Sequence, residues 1–214
     1  MKLDDIYEFK AIKFAYNNQI SEAISELQKT GFANVELLGN PFNGNIKDCN
    51  DCDHVAYQKT KYTKLSFLQK IKELQDIVRK GGDMYTENIL LGNAFYNMSY
   101  YGNARFFYDN KIINQYNTNY LNDTYKNVLM SNAETEKYYS KAFSLAKNDE
   151  QKAKAIYLLT KIERNKFYLT PAFKPWEIDY IVFDGYKKLK QYSKTKYYQE
   201  VINECGYFRN VVQK

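Results

Sequence analysis

Leu90-Leu91-Gly92-Asn93-Ala94-Phe95-Tyr96, followed by Tyr101-Gly102-Asn103-Ala104, is the stretch that decides the fold. It begins a helical hairpin in which small residues, Gly92 and Ala104, let paired helices approach closely. Aromatic rings then fill the gaps between layers. Ala142 offers the same device further on.

The neighbouring segments read the same way. Upstream, a helix resumes near Tyr62, and Leu65, Leu68, Ile71, Leu74 and Ile77-Val78 form one apolar stripe that stops at Gly81-Gly82. Earlier still, Tyr7, Ala11, Phe14 and Ala15, then Ala23, Ile24 and Leu27, fall on helical steps. Asn17-Asn18-Gln19 suits a turn between them. Residues 3–30 therefore read as a first helical hairpin, closed by Gly31 at the position after the helix. Downstream, Ser131-Asn132-Ala133-Glu134 has the pattern of a capping box and predicts a helix through Tyr138, Tyr139, Ala142, Phe143 and Ala146. Asn148-Asp149 breaks it, and a further helix runs to about Leu169. Pro171 and Pro175 bound a connector, with Pro175 suited to the first turn of the next helix. Two more helices, roughly 177–192 and 195–211, complete the chain. Asn114–Asn127, rich in Asn and Tyr, reads as either a helix extension or a loop.

Residues 31–60 break this rhythm. Gly39-Asn40-Pro41-Phe42-Asn43-Gly44-Asn45 gathers turn formers and leads into Cys49-Asn50-Asp51-Cys52-Asp53-His54. A long loop inside a helical protein is more often functional than idle. The expectation is thus one all-α domain, 1–214, a solenoid of eight or nine helices in antiparallel hairpins, with the 31–60 loop between 3–30 and the hairpins of 61–214.

Composition agrees. In 214 residues there are 9 glycines and 3 prolines, too few for a loop-rich sandwich or barrel. The 44% hydrophobic share speaks against disorder of the whole. The 22 tyrosines keep company with many Lys, Asn and Ile, all with AT-rich codons, so a low-GC genome accounts for the bias. A tyrosine-lined binding groove is the sharper alternative. The charge of +6 rests almost wholly on lysine, with arginine only at 79, 105, 164 and 209. That balance points weakly to phosphate, since bidentate contacts favour arginine, and it serves solubility at least as well. No run approaches the ~18–20 apolar residues of a membrane helix. Met1-Lys2-Leu3-Asp4-Asp5-Ile6 has no apolar leader stretch, which decides little if the chain is a piece of a longer protein.

Leu91-Gly92-x-x-Phe95 followed by Tyr101-x-x-Ala104 resembles the tetratricopeptide repeat, and Tyr7, Ala11, Phe14 with Ala23, Leu27 resemble a degraded copy. Tyr138-Tyr139-Ser140-Lys141-Ala142 is similar to the closing end of such a repeat. The units depart from a strict period of about 34 residues and lack the terminal proline. With Ile46 to His54 and Tyr197 to Phe208, the chain also resembles the C-terminal part of larger bacterial helical-repeat proteins without an assigned activity. That resemblance implies fold more than function, and implies a cell-envelope setting, periplasmic or membrane-associated.

Chemistry has one candidate place. Cys49-x-x-Cys52-x-His54 brings two thiols and the chain's single imidazole together. Zinc takes such S and N donors at about 2.0–2.3 Å, with Cys205 or Asp53 as the fourth ligand here. It is half a zinc site, because no second Cys-x-x-Cys or His pair exists. The alternatives are a structural disulfide in an oxidising compartment and thiols held only by packing. Thioredoxin-like redox work is disfavoured, since Asp48, Asp51 and Asp53 would raise a thiol pKa. A calcium loop fails because Asp53 stands where an EF-hand needs glycine. No nucleophile elbow accompanies His54, and Gly81-Gly82 lacks the Gly-Lys-Ser/Thr of a phosphate loop. Carboxylate neighbours such as Asp4-Asp5 and Glu134 with Glu136 sit at predicted helix ends, where they offset the dipole.

Lys187, Lys188, Lys190, Lys194 and Lys196, interleaved with Tyr186, Tyr192, Tyr197 and Tyr198, have the composition of a single-strand-binding groove. On a helix the same lysines flank Tyr186, Leu189 and Tyr192 as a solvated face does, and that reading is preferred. The expected function is a non-catalytic scaffold for a protein or peptide partner, with no catalytic residue named. A metal or thiol module at Cys49, Cys52 and His54 is the first alternative, and single-stranded nucleic acid the second.

Overall fold

Asn18 adopts a left-handed backbone, φ 59°, where Asn17-Asn18-Gln19 turns the chain from α1 (Leu3–Tyr16) into α2 (Ile20–Leu27). Asparagine tolerates this conformation better than most residues, so the turn is locally encoded. The structure, a computed structural model, describes residues 1–47, 54, 57–113, 123–176 and 181–213. Further helices continue the chain: α3 (Lys64–Lys80), α4 (Tyr85–Asn97), α5 (Asp123–Met130), α6 (Ala133–Leu145), α7 (Asp149–Tyr168), α8 (Asp184–Leu189), α9 (Lys196–Glu204) and α10 (Gly206–Gln213). Among the described residues there is no strand, only an isolated bridge between Glu36 and Thr63. The protein is all-α.

Side chains mark several helix starts. Thr63 Oγ1 accepts from Ser66 N while Ser66 Oγ accepts from Thr63 N, a reciprocal cap at the start of α3. Asn148 and Thr195 cap α7 and α9 through Gln151 N and Tyr198 N. Gly81, at φ 82°, ends α3 where the predicted stop lies.

Helices pack mostly on their chain neighbours: α1 on α2, α2 on α3, α3 on α4, then α4 on α6, α6 on α7, and α7 on α8 and α9. One apolar cluster joins α1–α4 with Leu37, Phe42, Phe107, Tyr108 and Leu129. A second holds the C-terminal helices against α7 and Ile46. A third, with Ile89, Tyr139, Ala155 and Leu158, links α4, α6 and α7. Gly92 sits on the third seam, where an added Cβ would come within 2.3 Å of the Tyr139 ring. Only glycine permits that approach. Phe95 and Ala104 are both buried, as close packing of this stretch requires. Many tyrosines go the same way: Tyr108, Tyr139, Tyr157 and Tyr186 are among the largest fully buried side chains.

Several local expectations are corrected. Ala104 lies in no α-helix. Its N–H donates to Asn97 O at 2.9 Å, and Gly102 presses on Asn97, so the chain folds tightly over the end of α4 and continues as a short 3-10 turn, Arg105–Phe107. Gly31 does not close α2; it opens a 3-10 turn, Gly31–Asn34, capped by Thr30. The Ser131–Glu134 capping box does not form. Asn132 takes the cap position without a side-chain bond, and Glu134 turns away to Asn18 and Lys137. The predicted helix 177–192 is α8 followed by a 3-10 turn, Lys190–Tyr192, because Phe183 before it is extended; 177–180 lie outside the described residues. Its successor breaks at Cys205 into α9 and α10. Of Asn114–Asn127, residues 123–127 belong to α5, and 114–122 lie outside the described residues.

Candidate functional site

After α2 the described residues up to 47 form no further α-helix, yet this stretch is stitched into the body. Leu37, Phe42 and Ile46 are buried. Asn93 Nδ2 on α4 donates to Phe42 O at 2.8 Å, and Asn97 Nδ2 to Pro41 O at 2.9 Å and Asn43 O at 2.7 Å. From α7, Tyr157 OH donates to Ile46 O at 2.7 Å and Lys161 Nζ to Asn45 O at 2.9 Å. Side chains from two helices thus satisfy carbonyls that no secondary structure pairs. The segment is held in one course over α4 and α7.

His54 lies near that course. Its Nε2 is 2.8 Å from Asn103 O, so this nitrogen carries the proton and donates, and the ring meets Phe106 edge-on. Cys49, Cys52 and Asp53 lie outside the described residues. Cys205 is a buried free thiol: Tyr186 OH is 3.7 Å from Sγ, and Phe208 N donates to Sγ at 3.5 Å. Among the described residues no group of three His, Cys, Asp or Glu is disposed to hold a metal ion.

The C-terminal lysines are exposed, but their tyrosines divide. Tyr186 and Tyr198 are buried in the second cluster, and Tyr192 and Tyr197 are half-buried. A base-stacking platform needs open ring faces, so on this surface the lysines front the solvent largely by themselves. Lys187 is paired with Asp184 at 2.7 Å.

One further recess has no signature in the sequence. An open groove of about 530 Å3 runs between the α1–α2 turn, α2, α3 and α6, lined by Asn18, Ser21, Lys72, Gln75, Arg79 and Tyr138 among others. Its polar groups are ordered by one another. Gln75 Nε2 donates to Asn18 Oδ1 at 2.6 Å and to Tyr138 OH at 3.1 Å, and Asn18 Nδ2 donates to Glu134 Oε2 at 2.7 Å. Lys72 Nζ donates to Ser21 Oγ at 2.9 Å. Beneath, the Tyr138 ring stacks on Phe95, with centroids 5.5 Å apart and planes 19° from parallel. Asn18 was legible as a turn residue and Glu134 as a cap. Their meeting spans 116 positions, and no local pattern announces it.

One further charged group is enclosed. Lys64 Nζ donates to Glu8 Oε1 at 2.6 Å, with both side chains almost fully buried. Burial pushes the Glu8 carboxyl up and the Lys64 ammonium down from their ordinary values, while their mutual attraction opposes both shifts. The pair ties α1 to the start of α3.

No family model, curated protein or solved structure matches the chain. No helix among the described residues is long and apolar enough to cross a membrane.

Proposed function

We propose that the chain is a non-catalytic helical-repeat scaffold, tetratricopeptide-like in kind, that binds a protein or peptide segment in the groove between α2, α3 and α6. The observation that carries this reading is the pre-ordered polar lining: Asn18, Gln75 and Tyr138, drawn from three elements, are bonded to one another before any partner arrives, and Glu134, outside the lining, holds Asn18. A groove organised in this way loses little side-chain freedom on binding, which is where much of the cost of association falls. Packing of most helices on near neighbours along the chain supports a solenoid of antiparallel hairpins, since such stacks bury a core and leave an extended face. The turn that replaces a second helix after Ala104 departs from the repeat pattern, and the resemblance carries no partner with it.

The test is capture of a stoichiometric partner from the source cells by wild-type protein and by Lys72→Glu and Gln75→Arg. Loss of capture in both variants at unchanged melting temperature is the expected result. Failure of the wild type to retain any stoichiometric protein, or equal capture by all three, counts against the reading.

A metal or thiol module at Cys49, Cys52 and His54 is the second reading. The observation favouring it is His54 itself: with Nε2 held by Asn103 O, its Nδ1 is left as the lone-pair nitrogen a metal would take. Metal analysis of protein purified without chelator, with a free-thiol count, tests it. Three free thiols and no bound metal would remove it.

A further inference from the structure

A second recess, of about 330 Å3, opens between α1 and α5 and shares no lining residue with the groove. Its floor is apolar: Ile12, Ile113 and Leu129 line it and are each no more than 3% exposed. Phe9 and Tyr125 form one wall, their rings in contact at 5.2 Å. The Tyr16 hydroxyl is already committed to Met98 O and contributes no donor to the space. Besides the Tyr16 and Tyr125 hydroxyls, the polar side chains of the lining are Lys13, Asn17 and Thr124, all exposed. Among the described residues Lys13 is the one charged side chain of the lining, and it makes no ion pair with a described residue.

Apolar walls, a volume in the range of about 300–1,000 Å3 and a few convergent polar groups are the marks of a small-molecule site. We propose that this recess binds a free aliphatic carboxylate, its chain on Ile12, Ile113 and Leu129 and its head group against Lys13 at the rim. Charge complementarity selects the head: an exposed ammonium without a partner favours an anion, and no acidic side chain on the lining competes. Volume selects the tail. At the roughly 30 Å3 that one water-sized group occupies, the space holds a chain of about ten carbons.

Calorimetric titration of the whole chain with straight-chain carboxylates of about six to twelve carbons, and with the matching alcohols, tests the proposal. One site per chain is expected, with affinity rising about fourfold per methylene until the space is full and level thereafter. The alcohol of equal length should bind several-fold more weakly. Lys13→Gln should bring the acid down to the alcohol without changing the alcohol, and Val128→Trp, whose indole intrudes into the recess, should weaken both at least tenfold at an unchanged melting temperature. Absence of saturable uptake at every length overturns the proposal, as does equal binding of acid and alcohol. Undiminished binding to a folded Val128→Trp protein does so too. Should Val128→Trp fail to fold, Lys13→Gln and the length series decide alone.

Discussion

Two residues carry more of the structure than their size implies. Gly92 admits the Tyr139 ring into the α4–α6 seam, and Tyr139 OH then donates to Asn93 Oδ1 at 2.8 Å. In a helix interior, Gly→Ala ordinarily gains about 1 kcal/mol. Here Gly92→Ala should lose about 1–3 kcal/mol instead, because the methyl overpacks the seam, and a urea midpoint below wild type checks the sign. Lys64 is the second. Its removal strands a buried carboxylate, so Lys64→Met alone should cost about 3–5 kcal/mol. Pairing it with Glu8→Leu should recover most of that loss, and a double-mutant cycle on urea midpoints measures the recovery. Glycine at 92 was legible as a close-approach residue because small side chains amid apolar ones have few other uses. Glu8 and Lys64 were not legible. Charged residues on a helical stripe read as solvent-facing, and only the fold shows that they meet across 56 positions.

At the scale of elements, α7 organises the C-terminal helices. Glu163 accepts from Asp184 N and Gly185 N at 2.9 and 3.0 Å, and Glu150 from Lys196 N and Tyr197 N at 2.5 and 3.0 Å. Each carboxylate meets the first N–H groups of a later helix, where the dipole favours negative charge. Glu150→Gln should loosen the start of α9 by about 1 kcal/mol, read as faster amide exchange at Lys196 and Tyr197 with α4 and α6 unchanged. Helices α1, α2, α3, α6 and α7 were visible as periodic apolar stripes with turn residues between them. What failed was the short, tightly turned chain: Ala104 after α4, and the breaks around α8 and Cys205. Their course is set by contacts to distant elements, as when Gly185 packs so close to Thr160 that a Cβ would meet it at 1.9 Å. The described part of 31–60 holds no α-helix, and its buried Leu37, Phe42 and Ile46 keep to no period that would mark them as core.

Across the whole molecule, tyrosine does much of the packing, and this has a consequence at high pH. Burial raises the Tyr85 and Tyr108 hydroxyls from the ordinary 10.0 to about 12. Between these values the folded chain holds protons that the unfolded chain has released, so stability is full below pH 10 and falls as pH rises towards 12. Urea midpoints at rising alkaline pH should decline through that window, and a flat profile would contradict the burial of these rings. The same burial explains why 22 tyrosines did not announce a binding face: composition counts rings without saying which way they point. The groove between α2, α3 and α6 was hidden for a related reason, since it is assembled from a turn residue, Asn18, a mid-helix amide, Gln75, and a helix tyrosine, Tyr138, that look ordinary one by one. Amide hydrogen exchange of the protein alone and with its captured partner is the most direct measurement. Protection gained in the α1–α2 turn, across Lys72–Arg79 of α3 and across Glu134–Tyr138 of α6 is the predicted result. Protection confined to Lys187–Lys196, or none anywhere in the chain, would contradict the account.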